Sequence, residues 1–261
     1  MNGPDAASYL NRMVSNEVEG LDVGASCEAL LLTPKARVIA TMVVWRRGAD
    51  AFLLLTEPSA GERVARELLR SRFAAKCEIA LEEHSSVVVL GATELATDRH
   101  TLPTLDYGVP AVELVDEEPP AEATPVEEPE LELERLRILA RTPRLGRELD
   151  DRVLPAEAGL DERAIDFEKG CYPGQEPIAR QHYRGRVNRT LRVLELEGEG
   201  LPEYDAELEF DGKVVGRVTS ATRDGDAVVA LAYVRVEVPR NAALRLGARA
   251  VTQLDLPSPR P

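Results

Sequence analysis

The most informative stretch of the chain runs from Lys169 to Arg180 and reads Lys-Gly-Cys-Tyr-Pro-Gly-Gln-Glu-Pro-Ile-Ala-Arg. Its Pro173-Gly174 pair is favoured at the centre of a type II turn, because proline fixes φ and glycine accepts a positive φ. Pro177 suits the first turn of a helix, which we expect to run to about Arg184 and to stop at Gly185. This stretch, called the Cys171 segment below, therefore predicts a tight exposed loop that leads into a helix.

Cys171 is a candidate functional thiol. It lies on a glycine-flanked loop just before a helix N-terminus, near Lys169 and Arg180, and such surroundings lower the pKa of a thiol. A thiolate there would serve as a nucleophile, a redox centre or a metal ligand. A small buried residue in a turn is the alternative interpretation, and the residues alone leave it open.

The other candidates for chemistry carry weaker signals. Cys27 and Cys77 occur in apolar, strand-like surroundings, where we expect inert thiols. His182 follows Cys171 closely in sequence, but a role as its base requires proximity in space. Glu176 and Arg180 are four residues apart, so they can pair on one helix face.

Arginine is concentrated just after the Cys171 segment, although the formal net charge of the chain is −14. A solvated charged surface is one interpretation. An anion site is the other, because arginine binds carboxylate and phosphate groups through paired hydrogen bonds. A folate glutamate tail or a nucleic-acid backbone would fit the second. The arginines concerned, five within 13 residues, are Arg180, Arg184, Arg186, Arg189 and Arg192.

The composition is that of a soluble globular protein. Of 261 residues, 44% are hydrophobic and 30% charged, which is far from the composition of a disordered chain. No apolar run is long enough for a membrane helix, and the N-terminus does not resemble a signal peptide, so we expect a cytoplasmic protein. The acidic balance argues against stable, nonspecific DNA binding.

No metal site is expected. Three scattered cysteines are too few for a disulfide framework or a four-cysteine zinc site. His84, His100 and His182 show no metal-ligand spacing.

Hydrophobic periodicity predicts a mixed α and β N-terminal region. Helices are expected over 4–20, with Asp5 as a cap, and over 60–73. In the second of these, we expect the buried stripe to comprise Val64, Leu68, Leu69 and Phe73. Residues 28–32 lead to a turn predicted at Thr33-Pro34-Lys35. The expected strands are Arg37–Trp45, Ala51–Thr56, 76–82 and 86–91.

From residue 116 onward the composition of the chain changes twice. Residues 116–130 are rich in acidic residues and proline, which predicts a solvated loop, and 131–141 predicts a helix. Residues 187–254 predict only strands, so a small barrel or sandwich is expected there. These strands are Val187–Glu197, Ala206–Phe210, Lys213–Thr222, Ala227–Val236 and Arg249–Leu254.

The Cys171 segment closely resembles the K-G-C-Y-x-G-Q-E-x-x-x-R signature of the YgfZ family, the folate-binding relatives of the glycine-cleavage T-protein. The other similar stretches, in chain order, are Gly3–Ala6 through Asn16–Val18, Leu32–Val38, Leu136–Ile138 and Leu154–Leu160. The positions that match the signature are Lys169, Gly170, Cys171, Tyr172, Gly174, Gln175, Glu176 and Arg180.

The resemblance implies an α+β, T-protein-like fold: two mixed α/β parts around a central channel, and a small C-terminal β-barrel. The implied domains are 1–186, the folate-binding region, and 187–256, the barrel. The implied function is an accessory protein for the assembly or maintenance of iron–sulfur enzymes, including tRNA-modifying ones. Such enzymes or assembly proteins would be its partners, and tetrahydrofolate its ligand.

The resemblance also implies roles for single residues. Cys171 would be the functional thiol, with Lys169 and Tyr172 beside it. The residues implied to bind folate are Gln175, Glu176, Arg180 and Glu157.

Two departures from the T-protein pattern bear on function. Its catalytic aspartate pair corresponds here to Ala40-Thr41, neither of which can act as a carboxylate. Its pterin-holding glutamate corresponds to Leu139, which cannot accept a hydrogen bond. We therefore argue against glycine cleavage. Two alternatives to the accessory protein stay open: a tetrahydrofolate-dependent aminomethyl- or methyltransferase, and a non-catalytic interaction module that has lost folate binding.

Overall fold

The computed structural model describes residues 1–93, 95 and 101–256; His100 lies outside them. The elements of the described residues, in chain order, are α1 (Ala6–Asn11), β1 (Ser26–Leu32), β2 (Val38–Gly48), β3 (Ala51–Thr56), α2 (Gly61–Ser71), β4 (Ser86–Leu90), β5 (Thr101–Thr104), β6 (Ala111–Val115), α3 (Pro129–Leu139), a 3-10 helix (Pro155–Ala158), α4 (Asp161–Ala164), α5 (Gln175–Arg184), β7 (Arg189–Leu196), β8 (Glu207–Phe210), β9 (Lys213–Asp224), β10 (Ala227–Arg235), β11 (Leu244–Leu246) and β12 (Arg249–Leu254).

The chain divides into two compact units, each built from two separate segments. Met1–Glu83 and Leu149–Val187 form the first unit. His84–Glu148 and the described residues from Asn188 onward form the second. The domain boundary at 186/187 that the resemblance implied stays a prediction.

A three-stranded antiparallel sheet of β1, β2 and β3 is the centre of the first unit. The predicted strands Arg37–Trp45 and Ala51–Thr56 correspond to β2 and β3. The turn predicted at Thr33-Pro34-Lys35 is present, and Ala36 N donates to Thr33 O there at 2.9 Å.

The N-terminal helix is much shorter than predicted. The prediction of 4–20 was wrong, because α1 ends at Asn11 and the chain then makes a β-bridge from Val14 to Leu31 of β1. Asp5 does not cap α1; its carboxylate accepts a hydrogen bond from Lys76 N instead. Val14 and Val18 are fully buried, and the pairing of Val14 with the sheet is a long-range contact that overrides helical periodicity.

The α2 prediction was right about the helix and wrong about part of its buried face. Val64 and Leu68 are buried, whereas Leu69 is half exposed and Phe73 is 92% exposed. The helix ends at Ser71, and Phe73 follows with a left-handed backbone at φ +43°. The strand predicted over 76–82 is absent from that stretch, which contributes one β-bridge, Asn2 to Glu78.

The second unit holds a sheet of order β4-β6-β5 and a closed barrel. Sequence reasoning missed β5 and β6. Residues 116–128 contain neither helix nor strand, and α3 begins at Pro129, two residues before the predicted start.

Six strands close the barrel in the order β10-β7-β12-β11-β8-β9. Its five predicted strands are all present, and the short β11 was missed. Alternate residues of β10 point into the barrel core, among them Ala230, Ala232 and Val234. The opposite face of β10 is also buried, since α3 packs against β9 and β10. Within the part of the chain that the structure describes, no helix is long and apolar enough to cross a membrane.

Candidate functional site around Cys171

The turn predicted in the Cys171 segment is present. Gly174 has φ +84° and ψ 1°, the values required at the third position of a type II turn, and Gln175 N donates to Tyr172 O at 3.3 Å. Helix α5 starts directly after it, two residues before Pro177, and its C-cap is Gly185 as predicted. Cys171 is exposed just before this turn, with a free thiol.

A close backbone contact fixes the C-terminal side of the Cys171 loop. A Cβ atom at Gly174 would lie 2.6 Å from Thr33 O and 3.1 Å from Ala36 Cα, so only glycine fits. The Cys171 segment and the β1–β2 turn, two stretches that the resemblance singled out separately, therefore pack directly on each other.

Lys169 fixes the N-terminal side of the loop. Its ammonium donates hydrogen bonds to Asn11 O at 2.7 Å, to Val14 O at 2.9 Å and to Asn16 O, at the end of α1 and just after it. The Asn11 Oδ1 atom accepts a further one at 3.0 Å. Burial lowers the pKa of Lys169, although the carboxylates of Glu17 and Asp166 act in the opposite direction. The Lys169 side chain thus links the Cys171 segment to the end of α1 and the residues after it.

The residues just before Lys169 are also anchored. Ser15 is fully buried; its hydroxyl donates to Ala164 O and accepts from Leu30 N, while its carbonyl accepts from Asp166 N. The Asp166 carboxylate in turn accepts hydrogen bonds from the backbone of Glu168 and Lys169. Ser15 and Asn11 were missed by sequence reasoning. No local pattern singles them out, because Arg12, Asn16 and Glu17 also interrupt the apolar residues of this stretch.

Tyr172 and the other two cysteines lie in environments that disfavour their charged forms. Tyr172 is 6% exposed, its ring centroid lies 5.7 Å from Lys169 Nζ, and burial raises its pKa to about 12. Burial raises the pKa of Cys27 to about 11 and also raises that of Cys77. These two thiols therefore fit the expectation of inert residues.

The residues predicted to bind folate are spread over two elements. Glu176 and Arg180 form an exposed ion pair on α5 at 2.9 Å, next to the half-buried Gln175. Glu157 is buried on the 3-10 helix, where its Oε2 accepts a hydrogen bond from Leu154 N at 3.0 Å.

The two departures from the T-protein pattern fall inside regular elements. Ala40 is fully buried in β2, with Thr41 beside it, and Leu139 is the last residue of α3.

The arginine run does not form one exposed patch. Arg192 is buried in the barrel, where its guanidinium donates to Val238 O, Arg235 O and the Gln253 side chain. Arg189 lies over the ring of Tyr233, 5.2 Å from its centroid. Arg184 and Arg186 are exposed.

His182 stacks on Phe167 with ring centroids 3.8 Å apart. Phe167 was missed by sequence reasoning.

Among the described residues, no group of three or more histidine, cysteine, aspartate or glutamate side chains is arranged to hold a metal ion.

The sequence of this chain is similar to those of several known proteins. The chain is 25% identical to an iron–sulfur cluster assembly factor IBA57 homolog of Pyricularia oryzae, over 94% of this chain and 71% of that one. It is 38% identical to the tRNA-modifying protein YgfZ of Edwardsiella ictaluri, over 42% of this chain and 35% of that one. The chain is therefore similar to proteins named IBA57 and YgfZ. The resemblance found in the Cys171 segment is thereby confirmed.

The fold is shared with a solved structure. Aminomethyltransferase T of the glycine cleavage system of Bartonella henselae matches this YgfZ-like chain with a TM-score of 0.77. The match covers 98% of this chain and 82% of that one at 20% identity. It confirms the predicted T-protein-like α+β fold with its C-terminal barrel. No protein-family model matches the chain.

Proposed function

We propose that this protein is a folate-binding accessory protein that supports the assembly or maintenance of iron–sulfur enzymes, including tRNA-modifying ones, with Cys171 as its functional thiol. The names of its relatives support this proposal, since one is an iron–sulfur cluster assembly factor and another a tRNA-modifying protein. The main structural observation in its favour is that Cys171 is an exposed thiol on a loop that is fixed on both sides.

The fixed loop determines what the thiol can do. Lys169 holds one side through backbone carbonyls, and Gly174 holds the other through its contact with Thr33. A reactive group held this way loses little conformational entropy when it meets its target. Cys171 is accordingly suited to contact a cluster, a folate one-carbon adduct or a partner protein. In this proposal Lys169 and Tyr172 position the loop.

The residues of α5 fit the anionic part of a folate. Arg180 is exposed and its pair with Glu176 is solvated, so exchanging that carboxylate for a ligand carboxylate costs little. Gln175 and Glu176 would add an amide and a carboxylate for further hydrogen bonds. Glu157 is the remaining candidate for the pterin, since Leu139 cannot accept a hydrogen bond. Bound tetrahydrofolate would supply a one-carbon carrier.

Calorimetric titration of tetrahydrofolate into the purified protein tests the ligand. We expect micromolar binding, about −8 kcal/mol, that weakens in Arg180→Ala and is unchanged in Arg63→Ala, an exposed arginine of α2. Absence of binding by the unmodified protein would refute the folate assignment.

Complementation of a strain that lacks the protein tests the thiol. Cys171→Ala should abolish recovery of iron–sulfur enzyme activity, whereas the matched variant Cys27→Ala should retain it. Full complementation by Cys171→Ala would show that the thiol is dispensable.

A folate-dependent aminomethyl- or methyltransferase is the second candidate, and the likeness to aminomethyltransferase T favours it. Ala40 and Thr41 argue against it, because β2 carries no carboxylate at the positions that match the T-protein's catalytic pair. Turnover of a one-carbon donor by the purified protein with tetrahydrofolate would establish this second candidate.

A further inference from the structure

A small cavity of about 170 Å³ lies in the first unit, beside α5. Ile165 and Ile178 form apolar walls, and the stacked rings of Phe167 and His182 form an aromatic one. Gly185 closes the end of α5 tightly here, since a Cβ atom at that position would lie 3.0 Å from the backbone of Gln181.

The size of the cavity limits its occupant. Pockets for drug-sized ligands measure roughly 300–1,000 Å³. A cavity of about 170 Å³ therefore admits one planar ring system and excludes a whole folate. A planar group between apolar and aromatic walls is stabilised by stacking as well as by burial.

Two polar side chains line the same cavity, Asp161 and Gln181. Among the described residues, neither side chain forms a hydrogen bond or an ion pair, although both are partly buried. A carboxylate accepts hydrogen bonds, and an amide both accepts and donates them. Together they suit a ring with N–H and C=O groups along one edge.

Positive charge surrounds the end of α5. Arg184 and Arg186 are exposed, and neither forms an ion pair within the described part of the chain. Tyr183, next to them, is 69% exposed and meets His182 edge-on at 4.8 Å. Exposed arginines bind a phosphate, and an exposed aromatic ring next to them stacks a neighbouring base.

We propose that this cavity and the two arginines bind one nucleotide, with its base against Phe167 and His182, its polar edge at Asp161 and Gln181, and its phosphate on Arg184 and Arg186. Guanine is favoured over adenine, because its Watson–Crick edge offers two adjacent N–H donors to the Asp161 carboxylate. The exposed Tyr183 favours a nucleotide within single-stranded RNA over a free mononucleotide, since it provides a surface for the next base.

Fluorescence anisotropy with a labelled single-stranded RNA of about ten nucleotides tests the site. The perturbing variants are Arg184→Ala/Arg186→Ala and Gln181→Glu, which adds a second carboxylate beside Asp161. The matched control is Arg63→Ala/Arg66→Ala, which removes the same charge from exposed positions of α2. The duplex form of the RNA and the mononucleotides GMP and AMP serve as competitors.

We expect each perturbing variant to weaken binding about tenfold and the control to bind as the unmodified protein does. The arginine variant should also reduce the slope of log K against log salt by roughly 1.4, about 0.7 for each lost phosphate contact. Stronger competition by GMP than by AMP supports the base pocket. If GMP displaces the labelled RNA as effectively as unlabelled RNA does, the ligand of the site is a free nucleotide.

Three results would overturn the proposal: no binding of RNA or mononucleotide, equal weakening by the control variant, or binding of polyglutamate in place of RNA. A folate titration of Gln181→Glu separates this inference from the proposed function. Loss of folate binding there would assign the cavity to folate and end the nucleotide proposal. Nucleotide binding without any folate binding would refute the folate assignment alone.

Discussion

At the scale of single residues, Gly174 is required by its backbone conformation and by its neighbours. Replacing it with alanine adds a Cβ atom to a left-handed backbone, which costs about 1–2 kcal/mol, and places that atom 2.6 Å from Thr33 O. We expect Gly174→Ala to lower the free energy of unfolding by about 3 kcal/mol or more in urea denaturation.

Gly225→Ala provides the matched control for this variant. Gly225 also has a positive φ, +61°, but no atom lies within 4 Å of an added Cβ. Gly225→Ala should therefore lower the free energy of unfolding only by the conformational cost, about 1 kcal/mol. Equal losses in the two variants would show that the contact between the Cys171 segment and the β1–β2 turn contributes nothing.

The three thiols should react very differently in the native protein. Cys171 is exposed, whereas Cys77 is buried and burial raises the pKa of Cys27 to about 11. We expect one fast equivalent with Ellman's reagent at neutral pH, and all three thiols to react after denaturation. Cys171→Ser should remove the fast phase. A fast phase that persists in this variant would mean that Cys27 or Cys77 is accessible.

At the scale of elements, α3 is held to the barrel by a buried ionic network. Arg137 is 5% exposed and pairs with Glu134 at 2.6 Å and with Glu148 at 3.2 Å. Glu148, fully buried, also accepts a hydrogen bond from Ser220 of β9 at 2.7 Å, and its backbone carbonyl accepts one from Tyr233 of β10. Arg137 belongs to the Leu-Arg-Ile stretch of the family resemblance, and its role here is structural.

This network predicts a loss of stability in acid. Burial of Glu134 raises its pKa, but hydrogen bonding and the charge of Arg137 outweigh this, so the pKa lies below the ordinary 4.5. A carboxyl whose pKa is lowered by folding stabilises the protein above its unfolded pKa, and this contribution disappears as the pH falls through the folded pKa.

Glu134→Gln should therefore lower the urea midpoint at neutral pH and reduce its further fall on acidification to about pH 4. Glu130→Gln, at an exposed position of the same helix, is the control and should leave both midpoints unchanged. An acid dependence in Glu134→Gln as steep as in the unmodified protein would exclude this carboxyl as its source.

Elements were predicted best where local signals agree with burial. The bounds of β3 and the end of α5 follow from apolar patterns and turn residues that act within a few positions, whereas β2 extends three residues beyond the predicted Trp45. Helix α1 was overestimated because the apolar residues from Met13 to Val18 have helical spacing. Val14 and Ser15 instead pair with Leu31 and Leu30 of β1, and no local signal carries that information.

At the scale of the whole molecule, the C-terminal barrel is the part most suited to fold alone. All six of its strands lie between Arg189 and Leu254, and its core is contained within them. We expect a fragment of residues 187–256 to unfold cooperatively in urea, with the circular dichroism of a β protein. Gradual, non-cooperative unfolding would contradict the predicted domain boundary.

A longer fragment, 129–256, supplies the comparison. It adds α3 and Glu148, which cover β9 and β10 and bind Ser220 and Tyr233. It should therefore unfold at a higher urea concentration than the short fragment. Equal midpoints would mean that the α3 packing contributes little to the barrel.

The sequence by itself determined the features that arise from neighbouring residues. Pro173-Gly174 dictates a type II turn and Gly185 a helix end, because φ preferences and helix caps act over a few residues. The strands of the barrel follow from apolar residues that alternate with polar ones or, in β10, from a continuous apolar run. The Cys171 segment also carried the resemblance to the YgfZ family, because its match to the signature consists of neighbouring residues.

Only the tertiary structure decided which distant groups meet. Lys169, predicted beside the reactive thiol, binds carbonyl groups more than 150 positions earlier in the chain. Two arginines from similar charged stretches, Arg137 and Arg192, are buried as structural ions, while Arg184 and Arg186 stay exposed beside a cavity. Burial and hydrogen-bond partners depend on contacts between segments far apart in sequence, and no local pattern encodes them.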